Sequence, residues 1–213
     1  MNSISLNNVL PSFLSDTPVV SEIWGREVTF AKGKNTLVTA VSGVGKSSLL
    51  SYMFGERCDF SGLITYDGQP LGSVKTKRWS DIRSRHISYV FQGLRLFSDL
   101  TALENILIKN RLTQQKTEAE IHSMLDSIGL ADKKQEKAAR LSFGQLQRVA
   151  IIRALCQPFD FLFLDEPFSH LDEANIGIAS LLIEQELRSR NAGLILCSLG
   201  QEYNFPYHQK YKL

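Results

Sequence analysis

Thr36-Leu37-Val38-Thr39-Ala40-Val41 reads as a buried strand and runs straight into Ser42-Gly43-Val44-Gly45-Lys46-Ser47-Ser48-Leu49. A β-branched run, a turn of small residues and a helix start carrying Gly-Lys-Ser leave such a chain few options. Successive backbone N–H groups of the turn point inward, and the helix behind them offers the positive end of its dipole. Gly43 and Gly45 let the main chain approach a ligand and take positive φ without a Cβ penalty. The arrangement is a cradle for phosphate, in which Lys46 would reach the β- and γ-phosphates and the Ser47 hydroxyl would ligate Mg²⁺. Nucleotide contacts are expected from Ala40, Val41, Ser42, Gly43, Val44, Gly45, Lys46, Ser47 and Ser48. Ala40 stands where G-x-x-x-x-G-K-[ST] asks for glycine; at negative φ it fits with a small distortion. A glycine-rich turn with a surface lysine is the plainer alternative, and the strand–loop–helix context argues against it.

A second apolar strand, Phe161-Leu162-Phe163-Leu164, ends in Asp165-Glu166-Pro167. In a parallel sheet the C-terminal strand ends converge on the ligand crevice. Ionising two carboxylates behind an apolar strand is costly unless a cation lies near. Asp165 is expected to hold Mg²⁺ and Glu166 to orient or deprotonate the attacking water. Glu166 and Lys46 are the expected catalytic residues.

Runs at Ile4 to Val9, Glu27 to Ala31 and Leu63 to Tyr66 also read as strands, the last closed by an Asp67-Gly68 turn. Helical spacing marks Lys46 to Gly55, the polar stretch from Thr101 to about Arg140, Ser142 to Leu155 and Glu173 to Arg190, with Gly129 placed as a C-cap glycine. Leu194 to Cys197 is a further apolar strand. Apolar strands separated by helices predict an α/β fold with a parallel sheet. One domain is expected over 1–213, with 92–148 as a helical insertion into a core made of 1–91 and 149–213.

Length and composition agree: 213 residues with 43% apolar and 22% charged residues fit one globular domain and exclude a disordered chain. A net charge of +2 gives no argument for nucleic acid, and none is expected as a partner. The apolar runs are too short to span a membrane, and the N-terminus lacks the pattern of a secretory signal. Cys58, Cys156 and Cys197 are widely spaced and read as small core residues in a reducing compartment.

The string Leu141-Ser142-Phe143-Gly144-Gln145-Leu146-Gln147-Arg148-Val149-Ala150 resembles the signature helix of ABC-type ATPases, L-S-G-G-Q followed by Q-R-V-A. Gln92 matches that family's Q-loop and Ser169-His170-Leu171-Asp172 its D-loop. With the phosphate cradle these motifs run in family order from about residue 36 to residue 198. The stretch from Phe91 to Asn105 looks most like the small bacterial ATPases of lipoprotein release, macrolide export and cell division.

The resemblance implies a P-loop NTPase core with a RecA-like parallel sheet, an antiparallel β subdomain and a helical signature subdomain. It implies ATP with Mg²⁺, hydrolysis, and transmembrane permease subunits as partners at the cytoplasmic face of the inner membrane. It implies pairing with a second nucleotide-binding domain, so that Ser142, Gly144 and Gln145 contact the γ-phosphate held by the partner. Gln92 would ligate Mg²⁺ and report nucleotide state to the membrane subunit. Phe13 would stack on adenine or else be a core phenylalanine of the β subdomain. Phe143 replaces the first signature glycine, and Leu199 stands where the family has a histidine that contacts the γ-phosphate. Losing one transition-state donor typically costs about 10²–10³ in rate, so slow hydrolysis with persistent ATP binding is expected. A regulatory module that binds ATP with little hydrolysis is the alternative to a transport motor. The basic runs Lys75, Lys77, Arg78, Arg83, Arg85 and Lys133, Lys134, Lys137, Arg140 read as solvated faces or as contacts to a membrane partner. Leu94, Leu96 and Phe97 are candidates for the partner-facing groove.

Overall fold

Alternation along three apolar strands decides the architecture. The computed structural model describes residues 1–15, 20–41 and 43–213; Ser42 lies outside them. The chain runs β1 (Ser3–Pro11), β2 (Glu27–Ala31), β3 (Asn35–Thr39), α1 (Lys46–Met53), β4 (Phe60–Tyr66) and β5 (Gln69–Pro70). It continues with α2 (Thr76–Asp81), β6 (Ile87–Val90), α3 (Ala102–Asn110), α4 (Glu118–Ser127) and α5 (Phe143–Leu155). It ends with β7 (Phe161–Asp165), α6 (Glu173–Arg190), β8 (Gly193–Ser198) and β9 (Gln209–Lys212). The main sheet, ordered β6-β7-β8-β3-β9, is parallel throughout. Leu37, Leu162, Leu164, Leu194 and Leu196 point to the face covered by α3, α5 and α6. Val38, Phe161, Phe163, Ile195 and Cys197 point to the other face, under α1 and the antiparallel sheet β2-β1-β4-β5. The strands are apolar on both sides because both sides are covered.

Local chemistry sets the element ends. Thr101–Glu104, Thr117–Glu120 and Ser142–Gln145 are reciprocal capping boxes at the starts of α3, α4 and α5. Gly129, at φ +71, closes α4 as predicted: its N–H reaches the Asp126 carbonyl and the Leu130 N–H reaches that of Leu125. Asp67 and Gly68, both at positive φ, turn β4 into β5.

Several expectations are corrected. β3 stops at Thr39, so Ala40 and Val41 belong to the loop, and β4 begins at Phe60 rather than Leu63. The polar helical stretch from Thr101 to Arg140 divides into α3, α4 and two short 3₁₀ turns. Elements α2, β6 and β9 were not predicted; β6 is only four residues long, and β9 alternates polar and aromatic residues at the sheet edge. Cys156 and Cys197 are core residues, but Cys58 is exposed.

One polar cluster ties the two sheets' connections together. Asp160, just before β7, accepts from Lys32, from the Met1 amino group (2.7 Å) and from His86 Nδ1 (2.5 Å). Burial would raise its pKa, but these donors outweigh it and hold the carboxyl at about 2. A depressed folded-state pKa stabilises above the unfolded value and is lost as pH falls through the folded one. Asp160→Asn should therefore cost about 2 kcal/mol at neutral pH and flatten the loss of stability between about pH 4 and 2, read by urea melts across that range.

Candidate nucleotide site

The C-terminal ends of β3, β6, β7 and β8 lie along one edge of the parallel sheet, and each delivers a loop to it. One polar cavity of about 250 Å³ gathers Phe13, Gly43, Gly45, Lys46, Ser47, Ser48, Gln92, Glu166 and Leu199. Residues 153 positions apart in sequence thus line a single site, as the parallel topology requires.

Both glycines of the loop take the positive φ that their residue type allows. Gly45 is the N-cap of α1 at φ 104°, and Gly43 stands at φ +87. A Cβ at Gly45 would press on Phe13 Cζ at 3.2 Å and Trp24 Cζ2 at 3.3 Å, and the positive φ itself favours glycine there. Ala40 is not at positive φ, and its N–H reaches the Ser198 carbonyl at 3.2 Å, so the missing glycine leaves the loop intact. Val41 is exposed and Val44 half-buried. Ser48 is buried under Arg57, which donates to its hydroxyl at 3.0 Å. Lys46, only 8% exposed, donates to the Ala40 and Val41 carbonyls at 3.2 and 3.3 Å and lies 3.4 Å from Glu166 Oε1.

Both carboxylates at the C-terminal end of β7 are buried. Burial raises the Asp165 pKa and the neighbouring Glu166 adds to it, while the Ser47 hydroxyl and Lys46 pull it back. Asp165 Oδ1 has no hydrogen-bond partner among the described residues. An unpartnered carboxylate oxygen, with the Ser47 hydroxyl beside it, is a donor set that fits a hard divalent cation. Gln92 Oε1 lies 3.5 Å from Ser47 Oγ, so the loop after β6 reaches the same corner. Glu166 holds φ 51, a left-handed conformation that L residues adopt at a cost and that concentrates at functional sites.

Phe13 sits on a 3₁₀ turn after β1, 47% exposed, with its ring over Gly45. Its place is the cavity wall and not the β-sheet core. Trp24 escaped the sequence reading: it is buried beneath the cradle and its indole N–H donates to the Val44 carbonyl at 3.2 Å. Gln147 was likewise read only as part of a motif. Buried on α5, it donates to Ser169 Oγ at 3.0 Å and accepts from the His170 N–H at 3.2 Å, fixing the loop after Glu166.

Ser142, Gly144 and Gln145 lie at the exposed start of α5, and none of them lines the cavity. In this chain Ser142 and Gln145 cap each other: Ser142 Oγ accepts from the Gln145 N–H at 3.3 Å, and Gln145 Oε1 from the Ser142 N–H at 2.9 Å. Phe143, 44% exposed, packs its ring 4.3 Å from that of His170. A Cβ on Gly144 would meet the His170 carbonyl at 2.8 Å, so this second glycine is sterically required. Leu199, 58% exposed, follows β8 and turns to the cavity wall. Leu94 is buried, leaving Phe97 as the exposed member of the groove candidates.

Comparison with known proteins agrees with this geometry. The sequence profile of the ABC transporter family matches residues 25–169. The lipoprotein-releasing system ATP-binding protein LolD of Legionella pneumophila (strain Lens) is 31% identical over 206 residues, covering 94% of this chain and 91% of that protein. LolD of Syntrophotalea carbinolica is 34% identical over 172 residues, covering 79% of this chain and 76% of its own. The dimeric structure of MJ0796, a bacterial ABC transporter cassette, superposes with a TM-score of 0.78 at 23% identity, covering 92% of this chain and 88% of that one. Among the described residues no helix is long and apolar enough to cross a membrane. The chain belongs to the ABC transporter family, as an ATP-binding, ATP-hydrolysing subunit built on the P-loop fold.

Proposed function

We propose that two copies of this chain, or one copy and a related one, clamp Mg·ATP head to tail and use its hydrolysis to drive a membrane partner. The unpartnered Asp165 Oδ1 beside the Lys46–Glu166 pair carries this reading, because it leaves a buried negative charge that a cation would complete. Mg²⁺ would be held by Ser47, Gln92 and Asp165 and would neutralise charge on the β- and γ-phosphate oxygens. Lys46 exchanges its loop carbonyls for phosphate oxygens, and Glu166 accepts a proton from the attacking water. The cradle residues Ala40 to Ser48 hold the phosphates. Ser142, Gly144 and Gln145 close on the γ-phosphate from the opposite copy, with the helix start of α5 supplying free N–H groups.

Residues 92–148 act as a helical subdomain on a core formed by 1–91 and 149–213. The membrane subunit docks beyond Gln92, in an apolar groove of about 380 Å³ rimmed by the exposed Phe97, Ile108 and Leu112. The chain then works at the cytoplasmic face of the inner membrane, and the relatives named for lipoprotein release support a partner of that kind. Leu199 and Phe143 favour a second reading, an ATP-binding switch with little turnover.

The test is calorimetry and light scattering on the Glu166→Gln form. Mg·ATP should release heat and double the scattering mass; the absence of both effects would sink the proposal. Phosphate release by the unmodified protein then divides motor from switch. Phe13 is proposed to stack on adenine. Phe13→Ala should raise KM for ATP about tenfold at unchanged kcat, since base–aromatic stacking is worth about 1–3 kcal/mol. An unchanged KM would leave the adenine to another wall.

A further inference from the structure

Leu199 leaves one wall of the nucleotide cavity apolar, and among the described residues no imidazole lines that cavity. An imidazole does stand elsewhere on the molecule, on the face that carries the signature. His170, in the loop between β7 and α6, lies outside the cavity of its own chain. It is exposed beside the start of α5. Its ring packs 4.3 Å from that of Phe143, and its carbonyl is the atom that a Cβ on Gly144 would meet at 2.8 Å. His170 therefore shares a face with Ser142, Gly144 and Gln145.

The hydrogen bonds around His170 decide which ring nitrogen carries the proton. Its backbone N–H donates to Gln147 Oε1 at 3.2 Å, so the other end of that amide, Nε2, is the donor to Ser169 Oγ at 3.0 Å. Ser169 Oγ accepts there, and its own proton has one acceptor among the described residues, His170 Nδ1 at 2.9 Å. With Nδ1 accepting, the neutral imidazole carries its hydrogen on Nε2. Among the described residues that Nε2–H has no acceptor. The loop that presents it is held at three points. Gln147 is buried on α5, Phe168 is buried with its ring 4.7 Å from that of Tyr203, and Asp172 caps α6 by accepting from the Asn175 N–H at 2.8 Å. A donor on a fixed loop needs no reorganisation when charge develops in front of it.

We propose that His170 is a catalytic residue in trans: its Nε2–H donates to a γ-phosphate oxygen of the ATP held by the opposite copy, on the side that Leu199 leaves without a donor. The inference rests on the head-to-tail reading above, since only a closing copy brings this face to the other's cradle. In the reaction the water oxygen bonds to the γ-phosphorus and its proton passes to Glu166. The bond from phosphorus to the bridging oxygen breaks and leaves its electron pair on ADP. His170 keeps its proton throughout and stabilises the charge on the γ-phosphoryl oxygens. Phe143 then has a use in the place of a signature glycine, because its ring is the shelf on which the imidazole rests. The two departures from the family pattern, Leu199 and Phe143, complement each other.

Phosphate release from the full chain is the first measurement. His170→Phe keeps a ring against Phe143 and removes both nitrogens; it should lower turnover about 10²-fold. His170→Gln brings an amide N–H near the place of Nε2 and should stay within about tenfold of wild type. The reverse order, phenylalanine active and glutamine not, assigns His170 to packing and overturns the donor, as does full activity in both. The second measurement assigns the copy. His170→Phe is mixed one to one with Glu166→Gln before Mg·ATP is added. In a mixed pair the intact Glu166 faces the intact His170 of the opposite copy. About a quarter of wild-type turnover should return, because half of the pairs are mixed and each of these holds one complete site. A donor acting within its own chain gives no such recovery. A mixture no faster than the His170→Phe parent, with the scattering mass still doubling, overturns His170 in trans and leaves the clamp standing. No doubling with Mg·ATP removes the head-to-tail reading and the proposal with it.

Discussion

Glu166→Gln is expected to lower ATP turnover about 10³-fold, within the range that a positioned general base contributes, while leaving Mg·ATP affinity within about threefold. The side chains are isosteric, so the loss isolates the proton-accepting oxygen. Glu166 Oε1 stands 3.4 Å from the Lys46 ammonium, and both side chains are buried. The backbone around it is over-determined: the Glu166 N–H reaches the Cys197 carbonyl at 3.0 Å, and the buried Gln147 amide approaches the Glu166 carbonyl at 3.5 Å. These contacts hold the left-handed φ whichever side chain is present, so the variant should fold and bind. Kinetically the loss should sit in kcat, with KM little changed, because the interaction is made in the transition state and not in the bound ground state. Lys46→Ala makes the contrast: a lysine proposed to meet the ground-state phosphates should, when lost, raise KM steeply. Single-turnover hydrolysis separates the two. Turnover within tenfold of wild type in the glutamine form would move the base away from Glu166.

The cradle and the acidic strand end were legible because local chemistry produces them. Gly45 is favoured by its φ and by the rings packed on it, and a strand–turn–helix with Gly-Lys-Ser announces that preference in consecutive residues. The parallel sheet was legible from apolar strands covered on both faces. What stayed hidden depends on non-local packing. Strand β6 is four residues, too short for alternation to register, and β9 is polar at an edge, so neither stands out from loop sequence. Trp24 became part of the site only because the chain folds back under Val44, and no spacing rule links positions 24 and 44. Gln147 was visible as a motif letter, but its grip on Ser169 and His170 needs the loop after Glu166 to come back against α5. Cys58 misled because cysteine is mostly buried, whereas this one sits in the exposed Arg57–Asp59 approach to β4. The Leu94–Arg95 pair carries no composition signal at all: neither residue type favours the left-handed region it occupies.

Leu199→His is expected to raise turnover about 10²-fold, the value of one added transition-state donor at an oxyanion. The site is ready to receive it. Leu199 is 58% exposed and lines the same cavity as Lys46, Glu166 and Gln92, so an imidazole there needs no core rearrangement. The loop is fixed on both sides: the Ala40 N–H holds the Ser198 carbonyl, and Ser198 Oγ donates to the Gln201 carbonyl at 2.6 Å. Exchange of an exposed leucine for histidine should change stability by no more than about 0.5 kcal/mol, so a rise in rate would report chemistry and not folding. Affinity for ATP should shift less than turnover, because the donor acts on charge that develops as the γ-phosphate leaves. Phe143 gives the competing account of slow turnover, since its ring stands on the signature face against His170 and would meet the opposing copy. The two explanations predict different single variants. If the missing donor limits the rate, Leu199→His accelerates alone and Phe143→Gly does not; if the ring holds the copies apart, Phe143→Gly accelerates and also strengthens ATP-driven dimerisation. No gain from Leu199→His, alone or combined with Phe143→Gly, removes the histidine explanation.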